Sequence, residues 1–306
     1  MKIFNNIENY KSSGEAVIAL GFFDGVHMGH RSVLERAKKI ASEKSLRCIA
    51  LTFDKCASNV ISGKTVTPII TSNNEKAYRI SELGIDELVF IPFLQIKDLS
   101  PDEFFKKILI DIFHGKHFVC GENYTFGAKK QGNIQTLAKL CQDLDCDFTT
   151  VSPVFYENQL VSSTKIRSLI SNGEMELANT LLCSPYSICS KVEWGKQLGR
   201  TIGVPTINQF FFNESIIPKH GVYISKTTVG ENEYPSISNI GLRPTVDCDT
   251  AVNIETHIIK HYFDLYDKDI RIELYKYIRP EIKFDSLDQL KEQIQKDILL
   301  SKQFFN

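Results

Sequence analysis

No two of the eight cysteines, at positions 48, 56, 120, 141, 146, 183, 189 and 248, form a C-x-x-C pair. That excludes the common zinc and thioredoxin-like spacings. Cys48 and Cys120 fall inside apolar runs where a thiol acts as a small hydrophobe, so buried, reduced thiols are expected. Long apolar runs are also missing, which excludes a helical membrane span. The first fifteen residues carry Asn, Lys, Ser and Glu instead of a signal-peptide core. A cytoplasmic protein with no membrane partner is therefore expected. A net charge of -1 gives no electrostatic footprint for nucleic acid, and none is expected as a partner. Internal repeats and low-complexity segments are absent too. What remains is a chain of 306 residues, 42% hydrophobic and 24% charged, long enough for two cores.

The organising stretch is Ala16–Arg31, AVIALGFFDGVHMGHR. Ala16 to Leu20 is an unbroken apolar run, the mark of a parallel strand buried on both faces. Gly21, Gly25 and Gly29 follow, and glycine admits positive φ and the close approach of a phosphate. His27 and His30 stand three apart where a helix over about Gly29–Lys44 begins, on one side of an N-terminus that favours an anion. Two surface histidines on an ordinary strand–turn–helix unit are the plainer alternative.

From Ala16 to about Leu182 strands and helices alternate. Further strands are expected at Leu46–Phe53, Glu87–Pro92, His117–Cys120 and Phe148–Val154. Helices are expected at about Asn74–Leu83, Pro101–Phe113 and Asn133–Asp143. This order implies a doubly wound parallel sheet. Gly121–Gly127, GENYTFG, leaves the fourth of these strands at its carboxyl end and offers the Asn123 amide with Tyr124 and Phe126 to a planar heterocycle. Ser162–Arg167, SSTKIR, opens a short helix and gathers hydroxyls and Arg167 into a second anion site. A turn and an N-cap are the respective alternatives.

Near Ser184-Pro185-Tyr186 the pattern changes to short strands: Tyr186–Glu193, Gly221–Thr228, Tyr234–Ile240, Val252–Ile259 and Asp269–Tyr277. A terminal helix over Ser286 to about Lys302 follows, capped by Asp285 or Ser286. A small antiparallel β-barrel is expected, with an open sheet under a helix as the alternative. Gly199–Asn208, GRTIGVPTIN, reads as a flexible cover whose Thr206 hydroxyl and Asn208 amide suit Mg²⁺. In NIETH, Val252, Ile254, Thr256 and Ile258 share one strand face. Glu255 points the other way with Asn253 and His257, placed to accept a hydroxyl proton in phosphoryl transfer.

In order, GFFDGVHMGH, GENYTFG and SSTKIR, then GRTIGVPTIN, GVY, NIGLRPT, ETH and RPEIKFDSL, resemble the prokaryotic bifunctional riboflavin kinase/FAD synthetases over about residues 14–303. The resemblance implies a nucleotidyltransferase, Rossmann-like α/β domain at 1–183, acting as FMN adenylyltransferase, and a riboflavin kinase barrel at 184–306. It implies ATP as co-substrate, FMN and FAD as ligands, and Mg²⁺. In the first domain, His27 and His30 would hold the triphosphate, with Gly21, Phe22, Asp24 and Gly29 in the same loop. Asn123 would lie in the nucleotide and flavin pocket, and Ser163, Thr164 and Arg167 would grip phosphate. In the second, Gly199, Arg200, Gly203 and Pro205 would form the loop over ATP, Thr206 and Asn208 would bind Mg²⁺, and Glu255 would be the base. The chain departs from the family after its second strand, reading TFDKCA where a T-F-x-x-H-P motif is usual. Alternatives are a kinase with a weakened adenylyltransferase and a non-catalytic flavin-binding protein. A monomer or weak homo-oligomer is expected.

Overall fold

The polar lead-in hides a strand. In the computed structural model, which describes residues 1–8, 10–195, 198–244 and 250–306, β1 (Lys2–Phe4) pairs in parallel with β4 (Glu87–Ile91) at the sheet edge. Three residues with no apolar alternation carry too little pattern to be read as a strand. The chain divides into two compact units, Met1–Ser163 and Thr164–Asn306.

The first unit is a parallel sheet of six strands in the order β1-β4-β3-β2-β5-β6, with β2 (Ala16–Leu20), β3 (Arg47–Phe53), β5 (Gly115–Gly121) and β6 (Asp147–Val151). Burial on both faces explains the apolar run of β2. Ile18 and Leu20 join Ile49, Phe105 and Phe118 in one core, while Val17 and Ala19 join Leu34, Ala37 and Leu88 in the other. Helices α1 (Met28–Lys44), α2 (Ala57–Ser62), α3 (Asn73–Ser81), α4 (Phe93–Ile96), α5 (Pro101–Glu103) and α6 (Ile134–Asp143) connect the strands. α5 departs from the expected single helix Pro101–Phe113. Its Ser100–Glu103 capping box forms as the sequence implies, but the chain continues as a π-helix, Phe104–Ile110, with Phe104, Phe105, Ile108 and Leu109 buried together. A hairpin of β7 (Phe155–Tyr156) and β8 (Gln159–Leu160) follows β6.

The second unit opens with α7, whose full span is Ser163–Asn172, and α8 (Met175–Leu182). Six antiparallel strands follow in the order β10-β13-β12-β11-β14-β9: β9 (Tyr186–Lys191), β10 (Ile207–Phe210), β11 (Gly221–Val229), β12 (Asn232–Pro244), β13 (Thr250–Ile258) and β14 (Asp269–Arg279). An isolated bridge between Glu193 and Asn208 draws the two edges together, so the sheet is a nearly closed barrel. The short helix α9 (Leu198–Thr201) interrupts the glycine-rich loop. The final helix α10 (Leu287–Phe305) takes its N-cap from Ser286, whose Oγ accepts from the Gln289 amide.

The expectation of uniformly buried thiols is corrected in part. Cys48, Cys56, Cys120 and Cys141 are buried and Cys146 half-buried, but Cys183 and Cys189 are exposed. Cys189 lies where β9 turns from buried to exposed positions, and Cys183 ends α8 in a left-handed cap. Cys248 lies outside the described residues. Among those described, no helix is long and apolar enough to cross a membrane.

Candidate active sites

In the first unit the strand order reverses at β2. The β2–β3–β4 run extends one way and β5–β6 the other, so the carboxyl ends of β2 and β5 flank a switch point, where open α/β sheets bind ligands. The loop leaving β2 is strained. Phe23 and Val26 hold positive φ angles of 52° and 46°, rare for residues with a Cβ and most of all for a β-branched one. Packing enforces this, since both side chains are buried in the core under α1. Of the three glycines, Gly25 takes the left-handed region with φ of 88°, and Gly21 and Gly29 do not. Gly21 is instead required by a close approach, because a Cβ there would lie 2.7 Å from the Phe23 ring.

His27 is the N-cap of α1. Its Nδ1 accepts from the His30 amide at 3.4 Å, and the two rings stack with centroids 3.7 Å apart. The pair meets as expected, but unequally. His27 is 5% exposed and leans inward, while His30 is half-buried with its ring edge-on to Phe23. Asp24 is buried, and its carboxylate accepts from the Ile70 and Thr71 amides at 2.9 and 3.1 Å. It holds the loop together rather than facing solvent. Phe22 is half-buried, and its carbonyl accepts from Thr52 Oγ1 at 2.8 Å. Asn123 is exposed just past β5. Phe126 is not available to a heterocycle. It is 6% exposed and packs against Phe104, with Tyr124 stacked against it at 5.8 Å. Ser163 Oγ donates to the Asp24 carbonyl at 3.0 Å. Thr164, exposed, and Arg167, half-buried, follow in α7 within the second unit. In the TFDKCA segment, Cys56 begins α2 with its Sγ 3.2 Å from Ser58 Oγ, and it is 7% exposed.

In the second unit, the PTIN segment is half strand. Asn208 lies in β10 directly opposite Glu255 in β13, and Glu255 is at the same time opposite Asn239 in β12. Asn253 Nδ2 donates to Asn208 Oδ1 at 3.2 Å. His257 Nδ1 donates to the Pro205 carbonyl at 2.8 Å, which fixes the tautomer and ties the end of the loop to β13. Burial pushes the His257 imidazole below its ordinary pKa despite that bond. Gly199 is compulsory, since a Cβ would sit 2.2 Å from the Val204 carbonyl oxygen. Gly203 has φ of 76°.

Glu255, His257, Thr206 and Asn239 border a cavity of about 390 Å³ whose far wall is Ile282, Phe284, Leu290 and Ile294. That volume and its apolar lining suit a planar ring system with a polar tail. Thr206 also borders a second, much smaller cleft of about 20 Å³, with Arg200, Pro205, Tyr262 and Tyr266. There the Arg200 guanidinium lies 5.6 Å from the Tyr262 ring centre and bonds the Tyr266 hydroxyl at 3.0 Å. No role was assigned to Asn239 or to the residues beyond β14 from the sequence. Their signals were the NIGLRPT motif, which opens on Asn239, and the RPEIKFDSL motif, and the rest of the cavity wall comes from α10, far along the chain.

Fold and sites together define a two-unit transferase, with a nucleotidyltransferase-type sheet and a kinase-type barrel. The family models that match are FAD synthetase over residues 9–165 and riboflavin kinase over residues 182–305. The bifunctional riboflavin kinase/FMN adenylyltransferases of Listeria monocytogenes and Bacillus subtilis are each 37% identical, over 94% of this chain and 92% of theirs. That of Escherichia coli K12 is 31% identical over 100% of this chain and 98% of its own. A solved structure titled a macrolide-efflux protein from Streptococcus pneumoniae superposes with a TM-score of 0.86 at 28% identity, covering 98% of both chains. The chain belongs to the bifunctional riboflavin kinase/FMN adenylyltransferase family: it phosphorylates riboflavin to FMN with ATP, then joins FMN to AMP from ATP to give FAD.

Proposed function

We propose that the barrel carries out the kinase step and the parallel sheet the adenylyl transfer, with the functional boundary at 183/184 dividing residues 1–183 from 184–306. The observation that carries this reading is Thr206, which borders both the 390 Å³ cavity and the aromatic cleft beside Arg200. Riboflavin fills the cavity with its isoalloxazine against Ile282 and Leu290 and its ribityl end at Glu255. The ATP phosphates lie under the loop that ends at Thr206, so the γ-phosphoryl group arrives at the rim of the cavity beside Glu255. Glu255 accepts the 5′-hydroxyl proton, and the loop Gly199–Asn208 with Arg200, Gly203 and Pro205 covers the phosphates.

Thr206 and Glu255 border the cavity and Asn208 lies opposite Glu255 on the neighbouring strand, and a hydroxyl, a carboxylate and an amide oxygen are donors of the kind that suits Mg²⁺. Thr206 and Asn208 would hold the ion, which when bound neutralises phosphate charge. In the first unit the FMN phosphate attacks the α-phosphorus of ATP and pyrophosphate leaves. His27, His30, the amides opening α1 and Ser163 receive that charge. Thr164 and Arg167 are assigned the role of gripping phosphate. Asn123 contacts the nucleotide or flavin. Asp24, Gly21, Phe22 and Gly29 shape the loop that carries the histidines. The enzyme works in the cytoplasm on small molecules, with no nucleic-acid or membrane partner, as a monomer or weak homo-oligomer.

Titration calorimetry of Glu255→Gln with riboflavin and ATP tests the kinase assignment. Binding within about threefold of the unaltered enzyme, with FMN formation down about 10²- to 10⁴-fold, is expected of a lost base. Unchanged FMN formation would contradict it.

A further inference from the structure

Lys76 in α3 is 1% exposed, yet no carboxylate among the described residues pairs directly with its ammonium. Its one hydrogen bond goes to the Phe22 carbonyl at 2.9 Å. Beyond that it faces the Phe22 ring at 4.2 Å and the Phe90 ring at 5.8 Å. Keeping a cation in such a place costs several kcal/mol of desolvation, to which one carbonyl and two π faces are a partial answer. A hydrocarbon side chain would fill the space at less cost, and such breaches of local logic concentrate at functional sites.

What the ammonium holds is the strained loop. The Phe22 carbonyl is gripped from two sides, by Lys76 Nζ and by Thr52 Oγ1 of β3. Three residues on, the Gly25 carbonyl accepts from Arg79 of the same helix at 3.3 Å, and the Gly25 amide donates to Thr71 Oγ1 at 3.0 Å. Arg79 is itself held by a buried ion pair with Glu75 at 2.7 Å. Between these fastenings lies Phe23 with its positive φ, and beyond them Val26 and the capping His27.

We propose that Lys76 is a positioning residue for the adenylyltransferase step: its ammonium clamps the Phe22 carbonyl, keeping the strained turn in the one conformation that presents His27 and His30 as a stacked pair. The proposal rests on the assignment of adenylyl transfer to the first unit. Glu75 and Arg79 on its own helix pair with each other, while the charged and titratable groups that act on Lys76 are Asp24 in the loop and Asp54 and the Cys56 thiol after β3. Against their attraction, burial draws its pKa down from the usual 10.5 to about 8. The clamp therefore loses its charge within a reachable pH range.

Full-length enzyme and its Lys76→Met variant are assayed for FAD formation from FMN and ATP between pH 6 and 10, with FMN formation from riboflavin measured on the same samples. At neutral pH, Lys76→Met is expected to lose about 10²-fold in kcat/KM for FAD formation, the cost of misplacing reacting groups by about 1 Å, while FMN formation stays within about twofold. The unaltered enzyme should lose FAD formation above about pH 8, where Lys76 discharges, and the variant should show no such alkaline limb. Thr52→Val, which removes the other donor to Phe22, should weaken FAD formation in the same direction. FAD formation by Lys76→Met at the unaltered rate overturns the proposal, as does an alkaline limb that is absent from the unaltered enzyme or unchanged in the variant. If His27→Ala with His30→Ala leaves FAD formation intact, the site assignment fails and the proposal falls with it.

Discussion

Glu255 and Asn208 face each other across the β13–β10 ladder, so the proposed base and a proposed metal ligand come from segments 47 residues apart yet share one rung. The same rung continues to Asn239 in β12. Three polar side chains across neighbouring strands therefore form a rigid floor to which only the loop before β10 has to be fitted. A site built on strands holds its geometry more tightly than one built on loops.

Thr206→Val removes the hydroxyl and keeps the shape. FMN formation should fall at least tenfold, with the magnesium concentration for half-maximal rate shifted upward, an order of magnitude in keeping with losing one ligand or polar contact near the phosphates. Chelation of divalent cations should abolish FMN formation in the unaltered enzyme. A magnesium titration of initial rates checks both, and an unmoved midpoint would remove Thr206 from the metal site.

Gly199→Ala forces a methyl group towards the Val204 carbonyl, 2.2 Å from the ideal Cβ position. The loop can no longer take its path, and FMN formation should drop roughly 10²-fold through misplaced phosphates. FAD formation from supplied FMN should be unaffected. Steady-state rates of the two half-reactions on one preparation decide it.

Removing one partner of the buried Arg279–Asp297 pair should destabilise the barrel. Asp297 is 1% exposed and accepts from Arg279 Nε at both carboxylate oxygens, at 3.2 and 3.1 Å, and from Nη2 at 2.7 Å. Asp297→Ala leaves the guanidinium without its partner at the junction of β14 and α10, at an expected cost of about 3–5 kcal/mol. The sole tryptophan, Trp194, stacks on Tyr266 at 3.7 Å in this unit. Its fluorescence in a urea titration reports the loss.

His257 gives the barrel a pH dependence of known sign. Its folded pKa lies below the ordinary 6.5 because burial opposes the charge, so the unfolded chain binds more protons as the medium becomes acidic. The contribution of His257 to stability is full above pH 6.5 and is lost as pH falls through its depressed value. Trp194-monitored urea midpoints should decline from pH 7 to pH 5, and His257→Gln should flatten that decline.

Much of this was legible in the sequence because the physics is local. The apolar run of β2 can only be a strand covered on both sides, and the alternation in β13 put Glu255 and His257 on one face as the barrel has them. Ser100 caps its helix as the SPDE run implies, and of the two candidates Asp285 and Ser286 it is Ser286 that caps α10. The losses were long-range or contextual. Phe126 looked like a ligand platform beside Asn123 until its contact with Phe104 placed it in the core. The importance of Lys76 depends on burial under a loop some fifty residues earlier, and a lysine in a helix reads as solvent-facing. The π-helix after Glu103 left no pattern separable from an ordinary amphipathic helix.

The central claim is that two separate sites act in turn on one flavin. The most direct measurement is chromatographic separation of FMN and FAD after incubating Glu255→Gln, and separately His27→Ala with His30→Ala, with ATP, Mg²⁺ and either riboflavin or FMN. The account predicts that Glu255→Gln makes FAD from FMN but almost no FMN from riboflavin, and that the histidine variant makes FMN but almost no FAD. Loss of both products in either variant, with the fold intact, would contradict it.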